Sequence, residues 1–291
     1  MKAGKDETLR REVVKTPDRT FLLLLTERDL GADYPGMIIY TLRILSEDTE
    51  IAMFGTNTYE YPGSSPISAR IVAEAKAEDW KRELLSNPSE FLAWHQSRGI
   101  RPMGDTRLPE VLILQGSPRP AGNCSMIAGW AQAAAEQAGK TVSVVYLDDL
   151  TMKACIGCYQ CYNTGTCIFE DDMAGIIRAL SAARVVIVCT PVYTNTVPGS
   201  LKIVIDRCQA YHANQVLKGH SQEKKGLLFS VAGRKGEGNF ICIIRVVDAF
   251  MKNIRIRPCG KVLIDDMDRV RDIGSIDGIE MQIRNAVEKV L

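Results

Sequence analysis

No stretch of this 291-residue chain is apolar for long enough to cross a membrane. A spanning helix needs about 20 apolar residues in a row, and the longest aliphatic runs here are about five residues, such as Val185 to Cys189. There is almost no net charge either: 36 basic residues face 35 acidic ones, for a formal +1. Such a balance creates no global field that would favour nucleic acid or an anionic membrane. The basic residues near the start (Lys2, Lys5, Arg10, Arg11) are offset by Asp6, Glu7 and Glu12, which argues against a nucleic-acid-binding arm. The opening MKAGKDETLRREVVK has no apolar core behind its charges, so a secretory signal is not expected and a reducing, cytoplasmic compartment is. Histidine is scarce, and His95, His212 and His220 form no metal-binding spacing. Internal repeats and low-complexity segments are absent. Neither GxxxxGK[ST] nor GxGxxG occurs, so no nucleotide-triphosphate loop or dinucleotide fingerprint is indicated.

What the chain does contain is the balance of a globular protein, with 46% hydrophobic and 24% charged residues. Its length suits one large domain or two ordinary ones. Gly, Pro and charge concentrate in residues 98–109, as at a linker. Beyond that break, strand and helix patterns alternate. Apolar or β-branched runs at Val111–Leu114, Thr141–Leu147, Arg184–Thr190, Gly226–Val231 and Lys261–Asp265 read as five strands. Helical stretches are expected at Ser125–Ala138, Asp172–Ala183, Gly199 to about Ala213, Phe240–Asn253 and Ile276–Leu291. Near-continuous apolar strands suit a parallel sheet covered on both faces. The fold class is therefore α/β: a flavodoxin-like, doubly wound, five-stranded parallel sheet of order 2-1-3-4-5 over residues 109–291. Residues 1–108 read as an N-terminal α+β extension or small module, with strands at Phe21–Leu25 and Ile51–Phe54 and helices at Ser68–Leu85 and Pro88–Ser97. The first twenty residues read as a loose charged arm.

Three loops would leave the same sheet edge, where ligands of doubly wound folds bind. The first, GSPRPAGNCS, joins a strand to a helix. Free N–H groups at a helix start, reinforced by the helix dipole, attract an anion. Ser117, Asn123 and Ser125 add neutral donors, Arg119 could add charge, and Gly122 and Cys124 contribute backbone. The set suits a terminal monophosphate such as that of FMN. The bland alternative is an ordinary turn with a Ser/Asn helix cap. The second loop offers Pro191, Val192, Tyr193, Thr194 and Asn195 to a flat ring. The third, around Ala232, Gly233 and Gly236, permits close backbone approach. Either could also be a Gly/Pro connection without a ligand.

Four of nine cysteines crowd into thirteen residues as Cys155-x2-Cys158-x2-Cys161-x5-Cys167, an inserted loop at 155–167. Bacterial ferredoxins use C-x2-C-x2-C to hold three corners of a [4Fe–4S] cube, and Cys167 is the natural fourth ligand. Zinc remains an alternative, although structural zinc usually takes two C-x2-C pairs a dozen or more residues apart. Reduced, unliganded thiols are the other. An Asp in Glu170-Asp171-Asp172 is most simply the cap of the next helix. Cys189, Cys208 and Cys242 read as core packing.

GSPRPAGNCS, CIGCYQCYNTGTCIFEDDM and TPVYTNTVPGSLKIVIDR together resemble the flavodoxin-like NAD(P)H-dependent FMN reductases, and more narrowly the iron–sulfur flavoproteins, over roughly residues 110–291. The resemblance implies FMN with its phosphate on Ser117, Arg119, Asn123 and Ser125, and its ring against 191–195 and 232–236. It also implies a [4Fe–4S] cluster on Cys155, Cys158, Cys161 and Cys167, and a homodimer or homotetramer. Cys124 stands where that family usually has Thr or Ser, and residues 1–108 have no counterpart in it. The expected function is an electron-transfer oxidoreductase. It would take electrons from a ferredoxin-like carrier or NAD(P)H and pass them to oxygen, peroxide or a quinone, with the redox chemistry done by the cofactors and no general acid or base from the chain. Two alternatives stand beside it. One is a cluster-free NAD(P)H-dependent FMN or quinone reductase with a structural cysteine loop. The other is a non-catalytic electron carrier or redox-responsive module that docks through residues 1–108.

Overall fold

Strands that alternate between core and solvent build one-sided sheets, and strands without a polar alternate must be covered twice. This chain contains both kinds, in different parts. The computed structural model describes residues 5–61, 66–96, 108–219 and 222–291. Two units are distinguished: Met1–Met103 with Ile156–Ile168 and Ala213–Gly219, and Gly104–Cys155 with Phe169–His212 and His220–Leu291. Residues 97–107, where the linker-like composition falls, and His220 lie outside the described residues.

In the first unit, β1 (Glu7–Lys15), β2 (Thr20–Asp29), β3 (Ile38–Ser46) and β4 (Thr49–Asn57) form an antiparallel meander. Along β2 the alternate residues Phe21, Leu23 and Leu25 are buried. They face α1 (Ala69–Ser86), whose buried Ala69, Ala73, Ala77, Trp80 and Leu84 recur at helical spacing on one side. The three alanines let the helix lie close to the sheet. Ser68 caps it by accepting a hydrogen bond from the Ile71 N–H at 3.3 Å. The shorter α2 (Pro88–Gln96) follows and adds Phe91 to the same core. Among the described residues, the expected loose arm is absent up to residue 20. From Glu7 they pair with β2 as an edge strand, in which only Val14 is buried. Its charges, which obscured the strand in the sequence, are used sideways: Arg10 pairs with Glu12 and Glu78, and Lys81 reaches Glu12. A charged edge is also a common guard against edge-to-edge association.

In the second unit, β5 (Val111–Gln115), α3 (Asn123–Gln137) and β6 (Val142–Tyr146) come first. The chain then passes through α4 (Cys161–Thr164), which belongs to the first unit, and returns as α5 (Met173–Ala182) and β7 (Val185–Pro191). After these come α6 (Gly199–Arg207), α7 (Gln209–Lys218, assigned to the first unit from Ala213 on), β8 (Lys224–Val231), α8 (Ile241–Asn253), β9 (Ile256–Ile264), α9 (Met267–Val270) and α10 (Ile279–Glu288). The five strands are all parallel in the order β6-β5-β7-β8-β9, the expected 2-1-3-4-5. Every residue of β5 is buried, and two apolar clusters share its side chains: Val111 and Ile113 on one face, Leu112 and Leu114 on the other. The helix expected from Gly199 to about Ala213 is two helices divided at Cys208. β9 begins at Ile256, earlier than its apolar run suggests, because the leading part of this edge strand is solvent-facing. Cys189 and Cys208 are core residues as expected, but Cys242 lies exposed in the first turn of α8.

Candidate functional site

The carboxyl ends of β5, β7 and β8 deliver the three expected loops to one cleft of about 1280 Å³ in the second unit. Each loop is shaped by its own hydrogen bonds. After β5, Gln115 accepts the Ser117 N–H at 2.8 Å and donates to Ser125 Oγ at 2.9 Å, while Ser125 Oγ donates to the Arg119 carbonyl at 3.1 Å. Ser117 Oγ accepts the Arg119 N–H at 3.2 Å. This stitching turns the chain into α3 and leaves the amides of Ala121, Asn123 and Cys124 with no acceptor among the described residues. Unspent amides at the start of a fifteen-residue helix form an anion cradle. The exposed Arg119 guanidinium, without an ion-pair partner among the described residues, stands beside them.

Two of the expected phosphate donors are used differently. The Ser125 hydroxyl is committed to the loop itself, and Ser125 does not line the cleft. Asn123 lines it, but its side chain donates to the Arg271 carbonyl at 3.0 Å and accepts the Ile273 N–H at 3.1 Å. Cys124 contributes backbone only: burial pushes its thiol up to about 12, with Arg119 pulling the other way, so the sulfur remains a neutral core group.

The loop after β7 closes on itself. Tyr193 and Thr196 exchange both backbone hydrogen bonds at 2.9 Å around Thr194 (φ 44°) and Asn195 (φ 64°). Two successive left-handed residues make a type I′ turn, which favours Asn and Gly. Threonine there is strained, because its branched Cβ crowds the backbone. The turn presents the Tyr193 ring, 38% exposed, to the cleft. Thr194→Asn should raise stability by about 0.5–1 kcal/mol, read as a higher urea midpoint at unchanged slope; a lower midpoint would contradict the strain.

The loop after β8 approaches closely at Gly233, where an added Cβ would lie 2.5 Å from an Asp268 carboxylate oxygen. Ala232 also lines the cleft. Gly236 does not; its N–H is held by the Asp265 carboxylate. A fourth wall was not anticipated from sequence. Met267, Asp268, Arg271 and Asp272, in the turn after β9, line the same cleft. Asp266 and Arg271 adopt positive φ to form that turn. The available signal was positional: this segment too follows a strand carboxyl end, yet its charged sequence carries no glycine-rich mark.

Cys155 lies in the second unit, and Cys158, Cys161 and Cys167 lie in the first. None of the four is in a disulfide; Cys155 is exposed and the others are partly exposed. By kind and spacing the donors suit an iron–sulfur cluster. By placement they do not form a set: among the described residues, no three His, Cys, Asp or Glu side chains are gathered closely enough to hold a metal ion.

The stem of the cysteine loop is fixed within the second unit. Arg207 on α6 and Asp171 before α5 form a two-pronged ion pair at 2.8 and 2.9 Å, with the two side chains 1% and 9% exposed. Arg207 also donates to the Lys153 carbonyl at 2.6 Å, and Asp171 accepts the Lys153 N–H at 3.0 Å. The stem is thereby held just before Cys155 and just after Cys167. Asp171 also accepts the Met173 N–H at 3.2 Å, so the expected helix cap is present within a larger network. Burial raises the Asp171 carboxyl, but hydrogen bonds from Arg207 and the Lys153 amide outweigh it, and the net effect is a lowered pKa.

The family model described as NADPH-dependent FMN reductase matches residues 109–251. An iron–sulfur flavoprotein of Methanosarcina thermophila is 32% identical over 126 residues, covering 43% of this chain and 64% of that protein. One from Methanocaldococcus jannaschii is 31% identical over 154 residues, covering 52% of this chain and 75% of the relative. A second from the same organism is 34% identical over 98 residues, 34% of this chain and 51% of that protein. The chain thus spans about half to two thirds of the length of several curated relatives that it matches.

Proposed function

Because the chain belongs to the iron–sulfur flavoprotein family, we propose that it is an FMN-dependent oxidoreductase that passes electrons from a reduced donor to a small acceptor. The observation that carries this reading is the cradle of unspent amides at Ala121, Asn123 and Cys124, open to a cleft walled by three strand-end loops. FMN, when bound, supplies the redox chemistry, accepting electrons in pairs and releasing them singly. The chain's own residues bind and orient. The amides, the Ser117 hydroxyl and Arg119 would hold the phosphate by charge-assisted hydrogen bonds. Tyr193 and the strained turn would set one wall for the ring, and Ala232 and Gly233 would admit it closely. Residues 109–291 are the flavin-binding part in this reading, and 1–108 are a separate element.

The finer part of the proposal is a [4Fe–4S] cluster on Cys155, Cys158, Cys161 and Cys167. Its support is the donor spacing and the family. The donor would be NAD(P)H or a ferredoxin-like carrier, the acceptor oxygen, peroxide or a quinone, and the assembly a homodimer or homotetramer. A cluster-free FMN or quinone reductase remains the second reading, favoured by the ungathered sulfurs. Anaerobic purification followed by flavin, iron and zinc quantification, with electron paramagnetic resonance of the dithionite-reduced protein, separates the two. About one FMN and four irons per chain is the expected result. Flavin with no iron, and turnover undiminished in a Cys158→Ser/Cys161→Ser variant, would establish the cluster-free reading. No flavin at all would overturn both.

A further inference from the structure

A carboxylate surrounded by donors from two distant segments is a clasp, and Glu60 is one. Within the first unit, its Oε1 accepts from the Asn57 N–H (3.1 Å), Asn57 Nδ2 (3.0 Å) and Asn163 Nδ2 (2.6 Å). Its Oε2 accepts from Gln160 Nε2 at 2.6 Å and Thr56 Oγ1 at 3.2 Å. Two of these donors, Gln160 and Asn163, come from the cysteine loop; the others come from the end of β4. Asn57, fully buried, also donates to Asn163 Oδ1 at 2.8 Å, and the Tyr159 carbonyl lies 3.3 Å from the same amide nitrogen, sharing one of its two protons. Asn163 donates to the Gly55 carbonyl at 3.1 Å. Only glycine fits at position 55, because a Cβ there would lie 2.5 Å from the Asn163 Cβ.

Aromatic packing holds the same segment. Tyr162, 2% exposed, sits among Leu30, Met37, Ile39 and Val216 and meets the Tyr34 ring edge-on at 4.8 Å. Tyr159 meets Tyr59 edge-on at 5.4 Å. Gly165, at φ 74°, ends α4 against Asn214, which donates to its carbonyl at 3.2 Å. Cys161 therefore has two anchored residues on each side: Tyr159 and Gln160 before it, Tyr162 and Asn163 after it. Nothing in this arrangement requires a metal.

We propose that Glu60 is a positioning residue, and that the N-terminal sheet serves the cysteine loop by clasping Gln160 and Asn163, thereby fixing the backbone that carries Cys158, Cys161 and Cys167. The function given to the clasp rests on the reading of this loop as the cluster-binding element, but the clasp itself does not. An appended sheet that recognises the loop from β4 also gives residues 5–61 a role independent of any external partner. Buried donors left without an acceptor are costly, so removing the carboxylate should release the loop rather than leave it in place.

The test uses the full chain, anaerobic and reduced, as Glu60→Ala, Glu60→Gln and Asn163→Ala. Deuterium exchange of 156–168 and alkylation of Cys158, Cys161 and Cys167 should each accelerate about tenfold or more in Glu60→Ala and Asn163→Ala, and less in Glu60→Gln. Cys259 on β9 is the internal reference and should not change. After reconstitution with iron and sulfide, Glu60→Ala should hold less iron with an altered resonance spectrum, whereas FMN per chain stays at the wild-type value. Wild-type exchange and alkylation rates in both alanine variants would overturn the proposal. So would acceleration that spreads equally over β2 and β3, since Glu60 would then support the whole sheet and not the loop. If the wild type takes up no iron but the variants still loosen the loop, the clasp stands and the cluster reading fails.

Discussion

Replacing Arg207 by Met should destabilise the protein by about 3–5 kcal/mol, the largest effect expected of any single substitution here. The reason is asymmetric. The pair with Asp171 is almost wholly out of solvent, and desolvating two charges offsets most of their attraction. Removing one partner leaves the other charged, buried and unpaired. In Arg207→Met, Asp171 retains only the Lys153 and Met173 amides. The double variant Arg207→Met/Asp171→Leu should therefore be more stable than Arg207→Met, a sign reversal that a simple sum of contacts would not produce. Urea denaturation of the two single variants, the double variant and the wild type measures it. Equal or additive losses would mean that the pair is not the isolated, desolvated unit the geometry describes.

The same pair sets an acid limit. Asp171 titrates lower in the folded chain than in the unfolded one. Its contribution is thus fully present above the ordinary aspartate value of about 4, and it is lost as pH falls through the lower folded value. Stability measured from neutral pH downward should drop in that acid window in the wild type. The drop should be smaller in the double variant, which has no carboxylate to protonate at this site.

How much of this was legible in the sequence depends on how local each signal is. The parallel sheet was legible because strands such as β5 and β7, buried on both faces, leave uninterrupted apolar runs. The cysteine loop was legible because ligand spacing is a local pattern. The edge strand β1 was hidden by its own charges, and the turn 265–272 by the absence of any glycine mark. The two networks that hold the cysteine loop had no local signal at all. Asp171 reads as a helix cap until Arg207, 36 residues away, is placed beside it. Glu60 and Asn163 are 103 residues apart, and each alone is an unremarked polar residue. Tertiary partners of this kind become visible only when the chain is folded, which is why residues 1–108 read as strands and helices with at most an external docking role and no contact to the cysteine loop.

The phosphate cradle gives the sharpest expectation for binding. Arg119→Ala should weaken FMN by about 10- to 100-fold, the value of one charge-assisted contact of roughly 1.5–3 kcal/mol. Riboflavin, which lacks the phosphate, should bind wild type and variant alike. This comparison isolates the anion from the ring, because the walls at Tyr193 and Gly233 are untouched by the substitution. Raising salt should narrow the FMN difference, since an exposed guanidinium is screened, while the amides of Ala121, Asn123 and Cys124 continue to hold the phosphate in both proteins. Titration by flavin fluorescence quenching reads the four constants at each of two ionic strengths. If FMN and riboflavin lose affinity equally, Arg119 shapes the loop and does not meet the phosphate. If neither changes, the loop's amides carry the anion unaided.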